Sequence, residues 1–512
     1  VKKLPIGIQT FSKIIENNCY YVDKTKLITE LANNGSYYFL SRPRRFGKSL
    51  FLDTLKEAFE GNEKLFKGLY LENNWNWEKK HPVIRIDFGG GVLKNSQELE
   101  QKIRELIYGN YRKHSIDKGE NLSISGIFEE LIQALNQKYS EKVVILIDEY
   151  DKPILDNITN KDIAREMRDG LRNLYSVMKG ADAHIKFVFI TGVSKFSKIN
   201  LFSGLNNLQD ITIDERYATI CGYTENDLSI FEDKLVNVNR EDLKLWYNGY
   251  NFLGDKVYNP FDILLYLDCK EFKNFWFETG NPSFLLDLIH ENHYNTINIE
   301  HIQVTHEEMG AFDVDSIELE VLLFQTGYLT ISEKINFGAK IYYILKYPNQ
   351  EVKMSLTSVI LSSLSKNNRV NKNTSELYLL LKDSNLNKIK DIFYSFFASI
   401  PHDWYRKNTI ANYEGYYASI FYCYFAALGL DVRTEDVTNH GQVDMTVFFE
   451  KKVYVLEFKV IELTETGSAL TQIKEKKYYE KYLAIESKEI YLIGVEFSRD
   501  SRNIVNYEYE IL

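Results

Sequence analysis

A chain of 512 residues that is 44% hydrophobic carries enough apolar material for two or three cores. Its net charge of −10 argues against a general nucleic-acid coat, while leaving room for a local basic groove or a metal-assisted site. Cys19, Cys221, Cys269 and Cys423 lie far apart, without metal-ligand spacing, and are too few for a disulfide scaffold, which predicts a reducing, cytoplasmic setting. The longest apolar run, Ile420–Leu430, is about half the ~20 residues a membrane span needs, and no secretory apolar region opens the chain.

In chain order, Tyr20-Tyr21-Val22-Asp23-Lys24-Thr25 leads into a short helix ending near Gly35, with Asp23 as N-cap. Tyr37–Leu40 reads as a buried strand. It runs through Ser41-Arg42-Pro43-Arg44-Arg45-Phe46-Gly47-Lys48-Ser49 into a helical pattern that stops at Gly61. Strand, tight loop and helix around Gly-Lys-Ser is the context of a phosphate-binding loop. There Arg45, Phe46 and Gly47 would present backbone N–H groups to a nucleotide, Lys48 would reach its terminal phosphates, and the Ser49 hydroxyl would join a Mg²⁺ shell. Arg42 stands where the usual pattern has its first glycine, so a basic turn capping a helix is the other reading.

Val83–Phe88 is a further strand, and helical patterns fill Gln97–Tyr111 and Ile127–Tyr139. Val143–Ile147 is a β-branched run covered on both faces, and Lys186–Thr191 is another strand, so the alternation predicts a parallel sheet. Asp148 and Glu149 end the Val143 strand at the edge where such sheets bind ligands. Asp148 would hold the Mg²⁺ of a nucleotide and Glu149 would polarise the attacking water; two solvated acids are the plainer reading. Thr191 resembles the polar strand tip that senses the γ-phosphate in additional-strand ATPases, or is only a turn residue.

From Cys221 to Leu356 the texture predicts a mostly helical lid, with a capping box at Thr224-Glu225-Asn226-Asp227 and a cap at Asn259-Pro260. Polar Lys366–Ser375 reads as a linker.

The last third carries a second chemistry. Asn412–Leu430 is a helix with one acid, Glu414, and a turn-rich stretch separates it from two strands, Gln442–Phe449 and Val453–Lys459. A two- or four-residue loop between the strands sets Asp444 opposite Glu457 with Cβ atoms about 5 Å apart, whereas a three-residue loop breaks that pairing. Carboxylates so close repel unless a cation lies between them or one is protonated, and Mg²⁺ with several waters suits the pair. Lys459, on the same face, could orient a water or stabilise charge on a phosphate. The plainer alternative is a cross-strand acid–lysine pair on a solvated face.

These residues resemble the PD-(D/E)XK nuclease superfamily. Asp444 matches its first acid, Glu457-Phe458-Lys459 its E-x-K element, Glu414 the acid on the preceding helix, and Gln472 the glutamine on the following one. Taken whole, the chain resembles the bacterial AAA-ATPase-like family that joins a P-loop domain to such a nuclease domain. Leu4-Pro5-Ile6-Gly7-Ile8-Gln9, Arg42–Ser49, Tyr258-Asn259-Pro260-Phe261 and Tyr347–Val352 carry that likeness. In this chain Gln442 replaces the arginine of the family's Gly-Arg-x-Asp.

The resemblance implies an α/β chain in four parts: an additional-strand, AAA-like P-loop domain (1–220), a helical lid (221–365), linker and helices (366–400), and a restriction-endonuclease-like domain (401–512). It implies ATP and Mg²⁺ as cofactors, with Ser49, Asp148, Asp444 and Glu457 as metal ligands, and DNA or RNA as substrate. No membrane partner is implied, and a homo-oligomer is compatible. From Lys388 onward 15 basic residues face 19 acidic ones, so no broad footprint for a duplex is present. Arg168, Arg172 and Arg216 are equal candidates for an arginine finger. The leading reading is an ATPase whose nucleotide state gates a phosphodiesterase; a switch or scaffold with an inactive nuclease-like domain is the alternative.

Overall fold

In the computed structural model the apolar runs of the first half become β1 (Tyr37–Ser41), β2 (Val83–Asp87), β3 (Val143–Asp148), β4 (Ile185–Gly192) and the short β5 (Gln209–Asp210). The structure describes residues 2–117, 122–196, 201–202, 205, 207–278, 285, 296–310, 314–315, 318–364, 370–400, 414–462, 467–483 and 488–512. The chain forms two units, residues 1–280 with 302–349, and residues 281–301 with 350–512.

In the first unit the sheet order is β2-β3-β4-β1-β5, and every pairing is parallel. β1 and β3 are buried throughout, as strands covered on both faces must be. Register places Ser41 beside Gly192 and Asp87 beside Asp148, so these strand ends emerge along one edge. Helices Ser96–Lys113 and Ile124–Tyr139 cover the expected patterns, the second starting three residues early, and are capped by the side chains of Asn95 and Ser123.

Between residues 221 and 349 the described residues form the helices expected of the lid and, in addition, a small sheet that was not expected. The capping box closes reciprocally: Asp227 N–H donates to Thr224 Oγ1 (3.2 Å) and Thr224 N–H to Asp227 Oδ2 (2.7 Å). Asn259 caps the helix Pro260–Cys269 through Phe261 N–H (2.9 Å). Residues beyond these, however, form β6 (Ile302–Thr305), β7 (Thr330–Phe337) and β8 (Lys340–Lys346), an antiparallel sheet of order β6-β8-β7. Only the first two residues of β7 are buried; Glu333 and Lys334 interrupt its middle, and Ile335 and Phe337 beyond them are exposed, so it does not read as a core strand.

The second unit holds β9 (Asp431–Thr438), β10 (Gly441–Phe449), β11 (Lys452–Val460), β12 (Glu489–Ser498) and β13 (Asn503–Ile511), ordered β13-β12-β11-β10-β9. β11 and β12 run parallel and the other neighbours antiparallel. The stretch read as turn-rich is therefore largely the edge strand β9, whose charged residues keep it from looking like one. The linker expected at 366–375 is also corrected: 365–369 lie outside the described residues, and helix Val370–Lys382 begins directly after them.

Helix Glu414–Ala427 is buried almost all round, because sheet and helices both cover it. Its Phe421 stacks on Phe393 of helix Leu386–Ser399 (3.6 Å between centroids) and packs on Phe458 of β11 (5.0 Å). On the opposite face Ile473, Tyr478 and Tyr482 close over Val453, Val455 and Leu492. Among the described residues no helix is long and apolar enough to cross a membrane.

Candidate functional site

Two clusters of chemistry-bearing residues form, one in each unit. In the first, β1 ends at Ser41 and the chain turns through Arg42–Phe46 into helix Lys48–Phe59. Gly47 caps that helix in the left-handed region (φ +91°), a conformation glycine adopts without strain. Lys48 Nζ curls back on the loop, donating to the carbonyls of Arg42 (2.9 Å) and Pro43 (3.0 Å), and burial lowers its pKa.

A cavity of about 370 Å³ opens over the loop. Arg45, Gly47, Lys48, Ser49 and Glu149 line it together with the Pro5–Gln9 segment and Phe261. Asp148 sits behind, 1% exposed; burial raises its pKa and the neighbouring Ser49 hydroxyl opposes that. Burial also raises Glu149, whose backbone takes φ +48°, a strained setting that functional sites tolerate. A neighbouring hydroxyl and hard carboxylate are a donor set that fits Mg²⁺.

Two of the sequence-derived residues stand away from this cavity. Phe46 turns into the core against Tyr250 (4.7 Å), and Thr191 is fully buried with its hydroxyl unpartnered. Arg42, at the position of the missing glycine, is also buried. Its guanidinium donates to the carbonyls of Ser41 (2.9 Å), Thr212 (2.6 Å) and Tyr217 (3.3 Å) and lies 3.8 Å over the Phe252 ring. It pins the loop to the body of the unit.

Sequence reasoning passed over Asp151, which also lines the cavity. Its carboxylate accepts from Val193 N–H (3.1 Å), Ser194 N–H (2.6 Å) and Ser194 Oγ (2.6 Å), tying the end of β3 to the loop after β4. The one available signal was the third acid in Asp148-Glu149-Tyr150-Asp151.

In the second unit the turn Glu450-Lys451 joins β10 to β11, with pairs Phe449–Lys452 through Met445–Leu456. This is the two-residue register, and it sets Asp444 beside Glu457. The ladder opens there and side chains replace it: Phe458 N–H donates to Asp444 Oδ2 (2.7 Å) and Asp444 N–H to Glu457 Oε2 (3.4 Å). Lys459 Nζ lies 2.9 Å from Glu457 Oε1 and 3.8 Å from Glu414 Oε2. Gln472 Nε2 also donates to Glu457 Oε1. Five residues from two strands and two helices thus meet at one point.

Burial pushes both carboxyls up. Asp444 is raised further by the Glu414 charge against the pull of Phe458 N–H and Lys459, and Glu457 by the Asp444 charge. Two adjacent carboxylates that repel one another, Glu457 buried and Asp444 half-buried, are a donor set that fits a hard divalent cation. Among the described residues no group of three or more His, Cys, Asp or Glu forms a cage, so waters would complete its shell. Gln442, where the resemblance expects arginine, is exposed on β10.

Two supports were not legible in the sequence. Glu496 of β12, 1% exposed, accepts from Gly467 N–H (2.9 Å) and Ala469 N–H (3.2 Å), capping the helix that carries Gln472. Gly494, register partner of Glu457, leaves room for that helix to lie on the sheet.

The family model described as "Predicted AAA-ATPase" matches residues 5–202, and that of the PD-(D/E)XK nuclease superfamily matches residues 412–507. Along its whole length the chain is similar to a protein of Azotobacter chroococcum mcd 1 described as "Uncharacterized protein in vnfD 5'region". The two are 54% identical over 516 residues, covering 100% of this chain and 99% of the relative. Strands β1–β4 with the Gly-Lys-Ser loop fall in the first matched region and the paired carboxylates fall in the second, and the chain belongs to the AAA-ATPase-like family with a C-terminal PD-(D/E)XK nuclease superfamily domain.

Proposed function

We propose that this protein hydrolyses ATP in its first unit and that the nucleotide state gates a Mg²⁺-dependent phosphodiesterase, acting on DNA or RNA, in its second. The setting is the cytoplasm. One observation carries the reading: Asp444, Glu457 and Lys459 share a sheet face, and Glu414 and Gln472 arrive at the same pair from separate helices.

In the first unit Lys48 would leave its loop carbonyls for the terminal phosphates, where its charge is better used. Ser49 and Asp148 would hold Mg²⁺, and Glu149 would orient the attacking water and take its proton. Thr191, buried beside the same edge, would report the γ-phosphate state to residues 221–349. In the second unit Asp444 and Glu457 would hold Mg²⁺, with Glu414 joining through water. The metal would supply Lewis acidity toward a phosphodiester oxygen. Lys459 would stabilise charge on the phosphorane-like state, while Gln472 fixes the Glu457 carboxylate so that one oxygen stays directed at Asp444.

A second reading keeps the ATPase and makes the nuclease-like unit a binding module. Gln442 in place of an arginine and Lys459 held between two acids favour it. The test is cleavage of mixed single- and double-stranded DNA and RNA with Mg²⁺, comparing the native protein with Asp444→Ala. Cleavage that Asp444→Ala abolishes supports the phosphodiesterase; no cleavage by either protein, with ATP still bound, supports the binding module.

A further inference from the structure

We propose that Arg44 supplies the transition-state arginine for ATP hydrolysis from within the phosphate loop of the same chain; this rests on the reading of that loop as an ATP site. Four cations line the cavity: Arg44, Arg45, Lys48 and Lys152. Three are engaged. Lys48 holds two loop carbonyls, Lys152 pairs with Asp156 (2.5 Å) and the Gly91 carbonyl (2.7 Å), and Arg45 lies 4.7 Å over the Phe261 ring.

Arg44 is exposed and its guanidinium makes no ion pair among the described residues. Its backbone is nevertheless fixed. The Arg44 carbonyl accepts from Trp276 Nε1 (3.2 Å), and the preceding Pro43 is wedged against Gly327, where a Cβ would fall 2.6 Å from Pro43 Cβ. A held backbone with an unengaged guanidinium at the cavity wall is what a charge that must move only during the reaction requires.

The three arginine-finger candidates outside the loop are already committed to acids. Arg168 pairs with Asp169 (3.2 Å) and Asp315 (3.3 Å), Arg172 with Asp169 (2.7 Å), and Arg216 with Asp214 (2.6 Å). Recruiting any of them would cost an existing pair.

In the reaction the water oxygen bonds to the γ-phosphorus while Glu149 takes its proton. The bond from that phosphorus to the β,γ-bridging oxygen breaks, and ADP leaves with the electron pair. Negative charge grows on the bridging and peripheral oxygens, and the planar fork of Arg44 offers five donors to receive it.

The test is steady-state hydrolysis over a hundredfold range of protein concentration, with nucleotide affinity read separately by a fluorescent ATP analogue. The native turnover per chain stays constant. Arg44→Ala lowers kcat roughly 10³-fold with nucleotide affinity little changed, loses trapping of ADP with aluminium fluoride, and Arg44→Lys recovers part of the rate. Mixing Arg44→Ala with Glu149→Gln restores nothing. Native-like turnover by Arg44→Ala, or recovery on mixing, overturns the proposal. A native protein that binds ATP without ever turning it over removes the ATPase reading itself, and this proposal with it.

Discussion

Gly494 of β12 and Leu470 of the helix Ser468–Glu475 meet backbone to backbone: a Cβ at Gly494 would stand 2.4 Å from the Leu470 nitrogen and 2.9 Å from its Cα. Because Gly494 is the register neighbour of Glu457, this close approach occurs beside the carboxylate pair. It brings the helix down far enough for Gln472 to reach Glu457. Gly494→Ala meets backbone, which cannot swing aside, so the helix lifts. The expected cost is about 1–3 kcal/mol of stability, read by chemical denaturation. Calorimetric titration should show weakened Mg²⁺ binding to the second unit, because Glu457 loses its amide partner.

Glu496 works on the same helix from its N-terminus. Glu496→Ala frees the N–H groups of Gly467 and Ala469 and removes a charge from the favourable end of the helix dipole. A loss of about 1–2 kcal/mol is expected, with cleavage reduced but not abolished. Urea melts of the variant, set beside a cleavage time course, check both halves of this expectation.

Arg42→Gly restores the glycine of the usual loop pattern, yet it should harm this protein. The guanidinium satisfies carbonyls of Ser41, Thr212 and Tyr217 inside the fold. Its loss leaves them buried and bare, at a cost of about 3 kcal/mol or more. Differential scanning calorimetry should show the melting temperature fall, and nucleotide affinity should gain nothing. An unchanged melting temperature would mean that the loop does not depend on this anchor.

The carboxylate pair predicts a pH dependence whose sign follows from burial. In the unfolded chain Asp444 and Glu457 titrate near 4; in the fold, desolvation first and neighbouring negative charge second move both up. Between those values the folded state holds protons that the unfolded state has released. This contribution to stability is therefore full below pH ~4 and declines as pH rises through the folded values. Mg²⁺ binding expels the same protons, so its affinity should rise with pH across that window. Melting curves against pH, with and without Mg²⁺, should show this slope in the native protein and a shallower one in Asp444→Asn.

The register of β10 and β11 was legible as a choice set by loop length: two or four residues pair Asp444 with Glu457, three do not, and Met445–Leu456 follows the first alternative. Glu414 and Gln472 could be set on flanking helices by periodicity together with resemblance, and both come to Glu457 and Lys459. Strand β9 was hidden because an edge strand carries charges where alternation would be sought, and β7 because only its first two residues enter the core. Glu496 was invisible for a different reason. A glutamate within an apolar run looks solvated until the fold brings the helix end formed by Gly467 and Ala469 over it. Arg42 was legible only as the residue standing where the usual pattern has its first glycine; nothing in the sequence marks its side chain as turned into the core.

Whether nucleotide state controls a phosphodiesterase is decided by cleavage rates under defined nucleotide occupancy. The rate on a labelled DNA or RNA should be measured for the native protein without nucleotide, with ADP and with ATP, and for Lys48→Ala and Glu149→Gln with ATP. The rate should change with ATP in the native protein, fail to respond in Lys48→Ala, and stay locked at the ATP-bound value in Glu149→Gln. Cleavage at one rate under every condition, equal in Lys48→Ala, would contradict that control.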